Sequence, residues 1–240
     1  MKPFSLCSPL VITIRLIFLL SVMLSIAPIS NAASFGCYGN LSVQEKMICE
    51  SPSLSSLDFK LDRIYSLAYA VSDPKLSLKQ SQRQWLSRSR SLCKDDDCLR
   101  LTYENRISEL LTLIQSQSDP LPQKIEGSDV HREKVQTPYC KLNDEPHYMD
   151  TFDITVSIAE KALKGRVDGI YDCGRKIWEA DLSGRVEGNI AFVEFDTGFF
   201  EPQIIQAIVC VSRGKLHWRT IVERRVESYI PESRSIQLKR

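Results

Sequence analysis

Residues 82–106 read QRQWLSRSRSLCKDDDCLRLTYENR and set Cys93 and Cys98 around a lysine and three aspartates, between two stretches of helical apolar spacing. The reading of this stretch decides the fold of the first half of the chain. As thiolates the pair would make a metal or redox centre, and as a bridge they would staple two helices together. The choice depends on the compartment, because disulfides persist where the environment is oxidising.

The N-terminus addresses that question. Lys2 and Arg15 precede the apolar run LIFLLSVM, residues 16–23, and Ser30-Asn31-Ala32 then places small residues where a signal peptidase cuts. The apolar run is too short for a membrane span, so residues 1–32 are expected to be a cleaved signal peptide, with the mature chain starting at about Ala33. Lipidation at Cys37 is not expected: Ser34-Phe35-Gly36 lacks the leucine of a lipobox, and the cysteine lies far past the apolar core. The product is expected to be periplasmic or secreted, with no stable membrane anchor. Loss of Lys2 and Arg15 takes the formal net charge from +1 to −1, which argues against a nucleic-acid partner held by phosphate contacts.

Helical signals dominate up to residue 116. Ser42-Val43-Gln44-Glu45 is a capping box opening a short helix through Cys49, and Pro52 suits the first turn of a second. Leu54, Leu57, Leu61, Ile64, Ala68 and Val71 form the apolar stripe of that second helix, which Asp73-Pro74 ends. A third helix is predicted over 77–93, with Leu78, Trp85 and Leu92 on one side, and a fourth over 98–115, with Leu99, Tyr103, Ile107, Leu110 and Ile114 in register. Short connections make this a small bundle. In an oxidising compartment Cys37, Cys49, Cys93 and Cys98 read as a disulfide framework rather than a metal site. Four cysteines allow three connectivities; the local pairs Cys37–Cys49 and Cys93–Cys98 are favoured because each closes a turn beside a helix end. Asp95, Asp96 and Asp97 then read as caps for the fourth helix rather than as calcium ligands, since no EF-hand spacing follows.

Phe35-Gly36-Cys37, Val43 to Cys49, Leu54-Ser55-Ser56-Leu57-Asp58 with Leu61, Gln82-Arg83-Gln84-Trp85-Leu86 with Arg88, Arg90 and Cys93, and Cys98, Tyr103, Arg106, Ile107 and Leu110 together resemble the LprI-type lysozyme-inhibitor N-terminal domain. The resemblance covers about residues 34–115. It implies a helical, disulfide-linked module of an exported bacterial protein, and the name of the family comes from members that inhibit lysozyme. Ser91 departs from the pattern, in which an aspartate often follows the second arginine. The resemblance supplies no mapped inhibitory residue. Arg88 and Arg90 are candidate partner-binding residues, since their donors could engage the paired carboxylates of a muramidase cleft. Against this, Trp85 at a stripe position reads as core, and arginines commonly hold helix ends.

Residues 117–138 lack apolar periodicity and are expected to be a linker. Beyond it Phe152, Ile154, Val156 and Ile158 alternate with polar residues, as in a half-buried strand. Further strands are predicted over 167–172, 176–182, 189–195, 203–212 and 215–223, with turn signals at Gly174, Ser183-Gly184, Gly198 and Arg213-Gly214. The expected fold is therefore α+β in two domains: a disulfide-linked helical bundle at 34–116, then an antiparallel β barrel or sandwich at 139–240. Cys140, Cys173 and Cys210 are odd in number, which predicts one bridge and one free thiol.

His131, His147 and His217 sit at no ligand spacing, and no catalytic or nucleotide-binding motif occurs, so no enzyme, metal or cofactor is expected. A hydrolase using Glu194, Asp196 and Glu201 is the least favoured reading. The leading one is a binding protein that occludes a lysozyme by protein–protein contact. Its alternative is an envelope module that binds another protein and inhibits no lysozyme.

Overall fold

A computed structural model of the protein describes residues 33–134, 141–142, 145–171, 176–196, 204–221 and 233–239. The expected signal peptide, Cys140, Cys173, Glu201 and the turn signals at Gly174 and Gly198 lie outside the described residues.

Helix α1 (Val43–Glu50) opens on the expected capping box: the Glu45 amide donates to Ser42 Oγ at 3.3 Å, and the Ser42 amide donates to Glu45 Oε2 at 2.8 Å. Two orphan amides of the first turn are thereby satisfied. Helix α2 (Pro52–Val71) carries its proline in the first turn and buries Leu54, Leu61, Ile64, Leu67, Ala68 and Val71. Helix α3 (Lys75–Arg88) stops earlier than its apolar spacing predicts. Ser89 leaves the helical region, and Arg90–Leu92 form a separate 3-10 turn. Leu92, expected on the buried side with Leu78 and Trp85, is consequently 69% exposed. Helix α4 (Asp96–Gln117) is capped by Asp95, whose carboxylate accepts from the Cys98 amide at 2.8 Å. The cysteines pair locally, Cys37 with Cys49 and Cys93 with Cys98. Each bridge contributes roughly 2–4 kcal/mol by restricting the unfolded chain.

Among the described residues nine strands follow: β1 (Lys124–Lys134), β2 (Lys141–Leu142), β3 (Glu145–Ala159), β4 (Ala162–Tyr171), β5 (Lys176–Glu187), β6 (Ile190–Asp196), β7 (Ile204–Ser212), β8 (Lys215–Thr220) and β9 (Ser233–Leu238). All but β2 form a closed antiparallel ring in the order β1-β9-β8-β7-β6-β5-β4-β3, which returns to β1 through the β1–β3 ladder. Of the two expected architectures the chain thus adopts the barrel. The stretch read as a linker, 117–138, contains the closing strand β1. Ser183-Gly184 is not a turn but lies inside β5, paired to β4 on one side and β6 on the other. A Cβ on Gly184 would strike the Phe192 carbonyl oxygen, so the glycine permits a close approach of strands. Arg213-Gly214 is a turn as expected; both residues have positive φ, 55° and 72°, which suits the two-residue β7–β8 hairpin.

The ring interior is filled. Phe152, Val167, Leu182, Phe195, Ala207, Val209, Leu216 and Ile236 pack around Trp218, whose ring lies 5.1 Å from that of Phe152 and 5.8 Å from that of Phe195. Part of the outer face of β6 and β7, with Ile221 just after β8, is also apolar. Ile190, Ile208, Cys210 and Ile221 join one buried cluster with Ile64, Leu67, Leu110 and Ile114 of the helices. This explains the apolar run 207–211, because that part of β7 is buried on both faces. Polar contacts border the junction: Asn189 Nδ2 donates to the carbonyls of Gln115 (3.2 Å) and Ser118 (2.8 Å), and the Asp119 amide donates to the Val211 carbonyl at 2.7 Å. Residues 31–240 form one unit in which helices and barrel share a core.

Candidate partner-binding surface

The motif residues of the helical part separate into an inward set and an outward one. Trp85 is 8% exposed and stands edge-on to Tyr103, ring centroids 5.2 Å apart. Tyr103 Oη donates to Asp58 Oδ1 at 2.8 Å, within the core between α2 and α4. Burial, and then the Asp58 charge, push the Tyr103 hydroxyl pKa well above its ordinary value, so it remains a donor. Arg90 acts on the same hydroxyl and pairs with Glu45 Oε1 at 3.4 Å. The Ser42 amide and hydroxyl, with Arg90, hold the Glu45 carboxyl below its usual value. Arg106 is buried and spends its donors on Gln82 Oε1, Ser81 Oγ and Glu109 Oε2.

Arg90, one of the two arginines read as partner-binding, is therefore half-enclosed in an intramolecular ion pair. Arg88, at the last turn of α3, is exposed. The chain that follows α3 is held by Gln44, whose Nε2 donates to the Ser91 carbonyl at 3.1 Å and the Cys93 carbonyl at 2.7 Å, tying α1 to the disulfide loop. Next to these contacts, Val43 and Leu92 stand 64% and 69% exposed. The exposed Arg88 guanidinium at the end of α3 can pair with a partner's carboxylate. The spacing rule that placed Leu92 inward missed its exposure; the signal against it was the run of serines at 87, 89 and 91, poor material for a continuous helix.

The β-rich part offers less. Among the described residues no group of three or more His, Cys, Asp or Glu side chains could hold a metal ion. Glu194 and Asp196 are exposed on β6. The β7–β8 register places Cys210 opposite His217, both on the outer face, yet burial pushes the Cys210 thiol up to about 11 and lowers the His217 pKa. Such a thiol is not an activated nucleophile. Cys210 is free and buried. Native protein at pH 8 is expected to resist iodoacetamide at Cys210, while protein in urea labels rapidly, as peptide mass mapping would read. Prompt native labelling would refute the buried placement. Because the folded-state pKa lies above the unfolded one, this thiol favours folding below about pH 8.5, and that contribution is lost as pH rises towards 11.

Among the described residues no helix is long and apolar enough to cross a membrane. Comparisons with family models, with curated proteins and with solved structures found no match.

Proposed function

We propose that this is an exported bacterial protein that inhibits a lysozyme by protein–protein contact, through the end of the helical part that presents Arg88. One observation supports the reading: of the distinctive motif side chains, Trp85, Arg90, Tyr103 and Arg106 serve the fold, while Arg88 is exposed at the end of α3. Lysozymes cleave glycosidic bonds with two acidic residues in a cleft. An arginine inserted there would pair with those carboxylates through charge-assisted hydrogen bonds. The protein acts by occlusion, needs no cofactor or metal, and works in the periplasm or outside the cell, where the Cys37–Cys49 and Cys93–Cys98 bridges persist.

The test is turbidimetric lysis of peptidoglycan by chicken-type lysozyme with the oxidised mature protein titrated in. Saturable inhibition is expected, with Arg88→Ala raising the half-inhibitory concentration by roughly 30-fold, as a central binding residue does, and leaving the melting temperature unchanged. Full inhibition by Arg88→Ala would remove Arg88 from the contact. No inhibition at high micromolar protein would overturn the reading in favour of an envelope module with another protein partner.

A further inference from the structure

Asp58 is a carboxylate 5% exposed in the core of the helical part. Its partners are neutral: Tyr103 Oη on Oδ1, and on Oδ2 the Ser34 amide at 2.8 Å and the Ser34 hydroxyl at 2.6 Å. Among the described residues no lysine or arginine forms an ion pair with it; Arg90 stops at Tyr103 and is itself paired with Glu45. A buried carboxylate without a cation is costly and favours any positive charge brought within about 4–6 Å. The segment that reaches it is the first of the mature chain. Ala33 and Phe35, on either side of Ser34, pack against the helical core and hold the serine in place.

We propose that Asp58 is the receptor for the chain's own α-ammonium group, created when the signal peptide is removed after Ala32. Hydrolysis of the Ala32–Ala33 peptide bond by water, catalysed by a signal peptidase, leaves a carboxylate on Ala32 and an amine on Ala33. With an ordinary pKa of about 7.7–8.0 that amine takes up a proton at neutral pH. It lies one residue from Ser34, whose amide already touches Asp58, and one residue is a Cα step of about 3.8 Å. Processing thus supplies a cation that can meet the carboxylate directly, where Arg90 reaches it only through the Tyr103 hydroxyl, and the helical part reaches full stability only after export. The inference rests on the reading of residues 1–32 as a cleaved signal, and its test separates the two.

Three forms of the mature protein serve: Ala33–Arg240 with a free amine, the same chain Nα-acetylated, and one extended by Gly-Ser, which carries the charge away from Asp58. The free-amine form is expected to melt about 3 °C or more above the other two, a difference that vanishes in Asp58→Asn. Should Asp58→Asn fail to fold, trace acetylation decides instead: the Ala33 amine is expected to react about tenfold more slowly in native protein than in urea. Equal melting of the three forms, or an Ala33 amine as reactive folded as unfolded, would overturn the pairing alone. An intact mass of the exported protein showing a start at another residue would overturn the cleavage reading and the pairing with it.

Discussion

Trp218→Ala is expected to lower folding stability by about 3–5 kcal/mol, the cost of removing a large aromatic side chain from a filled core. The indole is 1% exposed and touches the rings of both Phe152 and Phe195, so it fills the centre of the ring where strands from opposite sides meet. Its Nε1 donates to Thr220 Oγ1 at 3.3 Å, a hydrogen bond that alanine removes. Urea unfolding followed by circular dichroism would show the loss as a lower midpoint. A cost under about 1 kcal/mol would mean that the ring interior is not built on this side chain.

Ile208→Asp is expected to cost more than 4 kcal/mol and to unfold helices and barrel together. Ile208 is fully buried on the outer face of β7, in the cluster that holds Ile190, Ile221 and the apolar faces of the helices. A carboxylate there must be taken from water into an apolar cluster or protonated, a cost that its cross-strand neighbour Arg219 offsets only in part. Ile208→Val, which removes one methylene, should cost only about 1 kcal/mol. The decisive reading is the coincidence of the transitions: helical and sheet signals shift equally if the shared core couples the two parts. If Ile208→Asp lowers the barrel transition and leaves the helical one in place, the parts fold independently.

The helices were legible in the sequence because their signals are local. The capping box at Ser42, Pro52 in a first turn and the stripe from Leu54 to Val71 each act within a few residues, and the structure uses all of them. The local disulfide pairing was readable for the same reason. The two strands that close the barrel were not. In β1, Ile125 is the apolar side chain buried in the ring, and in β9 it is Ile236, so neither has an alternation to read. They fit through complementarity: Gly127 leaves room for Ile236, where a Cβ would come within 2.6 Å of Cγ2. That is a relation between residues far apart in the chain. The candidate surface was half legible. The motif singled out Arg88 and Arg90 together, but what divides them is Glu45, a partner 45 residues upstream of Arg90.

Ring closure also limits how any partner can engage the β-rich part. An open sheet invites recognition by strand addition, in which a foreign segment borrows unpaired backbone amides and carbonyls at an edge. Around this ring each strand has a neighbour on both sides. The ladders are uneven in length: among the described residues β1 runs along β3 to Lys134 but pairs with β9 only at Gly127 and Ser128, β5 pairs with β4 from Lys176 but with β6 only from Leu182, and His147–Asp150 of β3 is paired with β1 and not with β4. Backbone-templated capture of an extended peptide is limited to such one-sided stretches. Where ladders run on both sides a partner has to be chosen by the side chains it meets, so specificity there is a matter of surface chemistry that substitution can rewrite without disturbing the sheet.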